Sequence, residues 1–147
     1  MSDRLRQGLI KAICDEKTAE FQYQMAEHLA RGTGYMDAVP EYQKHADEER
    51  EHLQKLLKRA EQLNILLTYD LVDFAQQGNR WIPITTSSVP EQLDILIQAE
   101  QDAERFYAAM VAQAREESDW ITQQLFKQLL ADECEHETDL RRIREGL

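Results

Sequence analysis

Glu49 to His52 and Glu133 to His136 are two copies of the pattern Glu-x-x-His, and each begins 33 residues after another glutamate, Glu16 or Glu100. On a helix, an i, i+3 spacing puts both side chains on one face about one turn apart. One such pair is a weak signal, since acidic helices contain many by chance. Two pairs, each tied to a partner glutamate by the same spacing, point to divalent cations held between helices. Carboxylate oxygens and imidazole nitrogens with open coordination positions suit iron or manganese better than a closed structural zinc site. Burying several carboxylates together costs several kcal/mol per ion unless positive charge lies among them. No lysine or arginine falls on the stripes that carry these acids. Two divalent ions would supply that charge.

Four helical stretches place the acids. Apolar periodicity gives a first helix from about Asp3 to Arg31 and a second from about Pro40 to Leu63, with Asn64 as its stop. A long connection, residues 65–87, carries a short helix from about Asp70 to Gln77, after which Trp81-Ile82-Pro83 reads as extended chain. The third long helix starts at Ser88-Val89-Pro90-Glu91, where Ser88 and Glu91 have capping-box spacing, and ends near Glu117. Ser118 or Asp119 caps the fourth, which runs almost to the last residue. Short loops within each helix pair predict two antiparallel hairpins, and the long connection can cross the length of a bundle.

The two hairpins repeat. At an offset of 84 residues, Glu16 to Tyr23 lies over Glu100 to Tyr107, and Glu48 to His52 lies over Asp132 to His136. Leu9, Ile13, Glu16, Glu20 and Tyr23 form one helical stripe, matched by Leu93, Ile97, Glu100, Glu104 and Tyr107. In the other two helices the stripes are Glu49, His52, Leu56 and Leu63, and Leu129, Glu133, His136, Leu140 and Ile143. Acids therefore occupy core positions on all four helices at similar heights. The expected fold is an all-α antiparallel four-helix bundle with a pseudo-two-fold axis, formed as one domain over residues 1–147. A glutamate from each of two helices plus Glu-x-x-His from each of the other two is the pattern that binds a metal pair in such bundles.

Composition narrows the partners. Acids outnumber bases 28 to 17, and the resulting charge of -11 repels nucleic-acid phosphate and anionic lipid. Neither a signal core nor a membrane-spanning apolar run is present, and two cysteines 120 positions apart make no disulfide framework. The expectation is a cytoplasmic protein that binds neither nucleic acid nor membrane.

The strings HADEEREH and DECEHE, together with Glu16, Glu100 and Tyr23, resemble the ferroxidase centre of bacterioferritin and of the Dps-like mini-ferritins. The resemblance covers all four helices. It implies Glu49 and Glu133 as bridging ligands, Glu16 and Glu100 as terminal ones, and His52 and His136 as one ligand to each of two irons. Tyr23 and Tyr107 would orient carboxylates. Glu20 and Glu104, one turn beyond the primary glutamates, would support the centre or line its approach. The implied activity is oxidation of Fe(II) by O2 or H2O2, with storage in a homo-oligomeric shell. The chain departs from bacterioferritin at Arg50, which stands where the haem-binding methionine would follow the glutamate, so haem is not expected. No fifth helix follows the fourth, which favours a 12-subunit shell, or a smaller oligomer, over a 24-subunit one. The alternative is a rubrerythrin-like di-iron peroxidase or oxygenase without storage. A metal-free interaction module would leave the buried acids uncompensated. His28 and His45 lack a repeat partner and read as surface residues. Cys14 and Cys134 do not share a face with the neighbouring glutamates and read as ordinary thiols.

Overall fold

The computed structural model describes residues 1–78 and 82–147. Its helices run in the order α1 Asp3–Leu29, α2 Tyr35–Gln62, α3 Leu71–Gln77, α4 Val89–Glu116 and α5 Trp120–Glu145. Helix α1 packs on α2 and α4 on α5, and the two hairpins join along α2 with α5 and α1 with α4. This is the antiparallel four-helix bundle expected from the sequence, with the short α3 laid against α1.

Local chemistry sets the ends. Ser2, Asp70, Ser88 and Asp119 each accept a hydrogen bond from a backbone N–H in the first turn of their helices. Such a cap contributes about 1 kcal/mol. The reciprocal capping box forms at Asp70 and Asp73, not at Ser88. There Glu91 accepts from the Thr86 hydroxyl at 2.6 Å instead, and Thr86 accepts the Ser88 N–H. Asn64 does stop α2, by adopting a left-handed φ of 55°.

Two boundaries differ from expectation. Helix α1 ends at Leu29 because Ala30 turns extended and the Arg31 N–H donates to the Ser87 carbonyl at 2.9 Å, tying the first hairpin to the start of α4. Helix α2 starts five residues before Pro40, from Gly34 in the left-handed conformation (φ 90°). The helix runs through Pro40 although proline removes one of its hydrogen bonds. The added turn buries Ala38 completely, which offsets that loss. Trp81 lies outside the described residues, and Ile82 and Pro83 have no regular structure.

The apolar core has two parts. One contains Leu5, Leu9, Ile13, Leu56, Tyr107, Phe126 and Leu129. The other contains Tyr23, Tyr42, Leu93, Leu96 and Leu140. On every long helix the residues of one part precede those of the other, and between them lie Glu16 on α1, Glu49 and His52 on α2, Glu100 on α4, and Glu133 and His136 on α5. The polar layer thus divides the core.

A candidate di-metal centre in the bundle

All six of these side chains are buried, none more than 2% exposed. Their donor atoms form two overlapping groups. Glu16, Glu49, His52 and Glu133 make the first, and Glu49, Glu100, Glu133 and His136 the second, with ligand atoms in each group all within 4.8 Å of one another. Glu49 and Glu133 belong to both. The His52 Nδ1 lies 3.4 Å from Glu16, 3.3 Å from Glu133 and 3.8 Å from Glu49. The His136 Nδ1 lies 3.0 Å from Glu49, 3.7 Å from Glu100 and 3.7 Å from Glu133. With metal–ligand bonds of about 2.1 Å, adjacent donors sit about 3.0–3.4 Å apart, so small side-chain adjustments would close both sets on an ion. Both Glu49 oxygens and both histidine Nδ1 atoms are buried without a hydrogen-bond partner. Buried polar atoms are rarely left so. A cation between them accounts for all four, and the donor set therefore fits a metal pair.

Around this layer runs a ring of bonds, each joining one hairpin to the other. Tyr23 on α1 donates to Glu100 on α4 at 2.6 Å, and Tyr107 on α4 donates to Glu16 on α1. The Nε2 atoms of His52 and His136 contact Asp132 at 2.8 Å and Glu48 at 2.5 Å. With Nδ1 facing a metal, Nε2 carries the proton and donates it to that carboxylate, which fixes ring orientation and raises ligand basicity. Sequence reasoning missed Glu48 and Asp132. The signal was available, since both precede a Glu-x-x-His glutamate and they match each other at the repeat offset.

Without metal the layer holds protons instead. Burial and the neighbouring Glu16 raise Glu49 to about 8, and burial with Glu100 and Glu49 raises Glu133 well above the usual carboxylate range. Burial pulls His52 down, but the nearby carboxylates of Glu133 and Glu16 override it and lift the imidazole to about 12. His136 is raised for the same reason by Glu100, Glu48 and Glu49.

The remaining candidate residues lie elsewhere. Glu20 faces Gln24 and Lys17, and Glu104 faces Cys134, Glu137 and Arg141, so neither belongs to the two ligand groups. His28 is exposed, as expected. His45 is not a surface residue: it is fully buried and stacks on His136 with ring centroids 4.1 Å apart. The absence of a repeat partner concealed this, because position 129, its counterpart, is a leucine. Burial and then His136 lower His45 to about 4, so its ring is neutral. Burial raises both thiols, Cys14 to about 11, so neither is a thiolate at neutral pH. Arg50 pairs with Asp47 at 2.7 Å on the surface.

The family profile of the ferritin-like domain matches residues 6–147, nearly the whole chain. The chain belongs to the ferritin-like family. Among solved structures, this ferritin-like chain is similar to a dodecameric thioferritin, the bacterioferritin-related protein of Bacteroides fragilis, with 25% identity and a TM-score of 0.92 over 97% of this chain and 85% of that one. It is also similar to Dps from Staphylococcus aureus (11% identity, TM-score 0.90, 95% and 94% covered) and to Dps from Thermosynechococcus elongatus (15%, 0.90, 95% and 89%). A search of curated proteins gives no significant match. Family and buried carboxylate–histidine clusters together mark an iron-binding ferritin-like protein. Among the described residues, no helix is long and apolar enough to cross a membrane.

Proposed function

We propose that this protein is a ferroxidase acting as one domain over residues 1–147. Glu16 and His52 hold one Fe(II), Glu100 and His136 hold the other, and Glu49 and Glu133 bridge them. The observation that carries the reading is the pair of ligand groups sharing Glu49 and Glu133 inside a divided core. Iron is the substrate and supplies the electrons. With H2O2, two Fe(II) and two protons yield two Fe(III) and two waters; with O2, the same electrons and protons yield one H2O2. The protein's part is to hold the ligands in place before iron arrives. Asp132 and Glu48 keep each histidine's Nδ1 lone pair turned inward, and Tyr23 and Tyr107 aim Glu100 and Glu16. The carboxylates stabilise the rising charge of the oxidised ions. Protons released by Glu49, Glu133 and the histidines as metal enters are those the reduction consumes.

The similar structures include a dodecameric shell and Dps proteins, which supports assembly into a twelve-subunit homo-oligomer storing iron as mineral. Much of the -11 charge would then line the cavity or its pores and concentrate cations. The same acidity argues against nucleic-acid partners, and the absence of a disulfide framework suits the cytoplasm.

Native mass measurement with iron analysis after aerobic Fe(II) loading tests this reading. The expected particle has twelve chains and holds many irons per chain. A monomer or dimer that keeps only two irons per chain would instead indicate a rubrerythrin-like peroxidase or oxygenase. Manganese retained in preference to iron on purification would reassign the metal.

A further inference from the structure

The repeat that builds the centre is broken at three positions, and these meet in space. Glu41, His45 and Asp139 bring ligand atoms within 4.8 Å of one another. The His45 Nε2 lies 3.3 Å from Glu41 and 3.6 Å from Asp139, close to the separation expected for neighbouring ligands on one ion. At the repeat offset their counterparts are Leu125, Leu129 and Lys55, none of which suits such an ion. Beside His52 the bundle is therefore closed by apolar side chains, and beside His136 it is polar.

His45 supplies the independent observation. Its side chain is completely buried, and neither ring nitrogen has a hydrogen-bond partner. A buried imidazole without partners costs about 1–3 kcal/mol, which a native sequence seldom tolerates without use. Glu41 and Asp139, with side chains 31% and 17% exposed, stand outside it. Both line an open surface cleft of about 360 Å³, together with Asp37, Arg142 and Ile143. Lys44 and Arg142 each reach Asp139 only at 3.8 Å, from exposed positions, Lys44 at the oxygen that also faces His45. From the cleft inward the order is Glu41 and Asp139, then His45, then the ring of His136 stacked on it.

We propose that Glu41, His45 and Asp139 form a third, mononuclear site for a divalent first-row cation, and that it passes Fe(II) from the cleft to the His136 side of the centre. The handover rests on the ferroxidase reading; the site itself does not. Two carboxylates and one imidazole nitrogen offer three donors, balance the ion's charge and leave positions for water. Such a set binds more loosely than the buried centre, as a transfer site must.

The test uses the intact, chelator-stripped oligomer, titrated anaerobically with Co(II) and analysed for retained metal per chain. His45→Leu, which installs the residue found on the other half, and Asp139→Asn should each bind one Co(II) fewer than wild type. The double variant Glu49→Ala/Glu133→Ala should lose two and keep one, and adding His45→Leu should remove that one. First-turnover Fe(II) oxidation in Asp139→Asn, which also takes a charge from the cleft, should slow about tenfold, the low end of the gain a charged funnel provides. Wild-type Co(II) stoichiometry in both His45→Leu and Asp139→Asn would overturn the site. Should His45→Leu fail to fold, the partly exposed Asp139→Asn decides alone. A double variant keeping no metal would show that the site does not stand apart, and would also overturn it. A double variant still binding as much as wild type would refute the di-metal assignment instead. Unchanged oxidation with one Co(II) lost would remove the handover.

Discussion

Replacing Glu49 by glutamine should strengthen the metal-free protein while crippling its response to metal. Glu49 is fully buried, and both its oxygens lack hydrogen bonds. Its carboxyl is raised from 4.5 to about 8 by burial and Glu16. Each tenfold in an ionisation equilibrium is about 1.4 kcal/mol, so at pH 7 this group costs the fold on the order of 3 kcal/mol relative to the unfolded chain. Glutamine keeps the shape and removes that cost. Part returns, because glutamine's buried amide must find hydrogen-bond partners where the Glu49 oxygens have none. The net gain should be about 1–2 kcal/mol, or about 3–6 °C in Tm for a chain of this length. The assay is thermal melting of chelator-stripped wild type and Glu49→Gln at one protein concentration, with and without Mn(II). Wild type should rise on adding Mn(II), because only the folded bundle gathers the ligands. The variant should start higher and rise far less. A stripped variant that melts below wild type, or equal Mn(II) shifts in both, would refute the reasoning.

Asp132→Asn should weaken metal binding about tenfold, the lower end for groups that orient a ligand, and Glu48→Gln should do the same at the other histidine; Mn(II) titration of each variant measures it. The stripped protein should lose stability as pH rises from about 6 to 8. Glu49, Glu133, His52 and His136 are all raised in the folded state, so their contribution is complete below the unfolded values and is lost as pH climbs through about 8 for Glu49 and towards about 12 for His52. Glu48, Asp119 and His45 are lowered and act in the opposite sense, but the carboxylates' contribution is complete above about pH 5 and that of His45 above about pH 7. Melting curves across this range, with and without Mn(II), check the sign; a flat or rising profile for the stripped protein would contradict it.

The helices and their ligand stripes were legible because both follow from side-chain periodicity. A carboxylate at an apolar position stands out in any helical reading, and the repeat located its partner. What escaped was information carried between helices. Glu48 and Asp132 lie beside the stripe rather than on it, and their role appears only when α2 and α5 are side by side. His45 was set aside for want of a repeat partner, though Glu41, His45, Glu49 and His52 follow steps of four, four and three along α2. The beginning of α2 was misplaced because proline is a strong local boundary, and only the burial of Ala38 shows why the helix continues through it.

The crossed bonds between hairpins have a bearing on how such a sequence can change over time. Tyr23 serves Glu100, Tyr107 serves Glu16, His52 leans on Asp132, and His136 leans on Glu48. Each half of the chain thus supplies what the other half's ligands need, and a substitution in one is felt at the metal position held mainly by the other. Two halves coupled in this way are not free to drift apart at the positions that face each other. They can differ outside that ring of bonds, and His45 and Leu129 show one such place. A repeat made of two self-sufficient halves could lose one and survive, but here a single hairpin carries only half of a binding site.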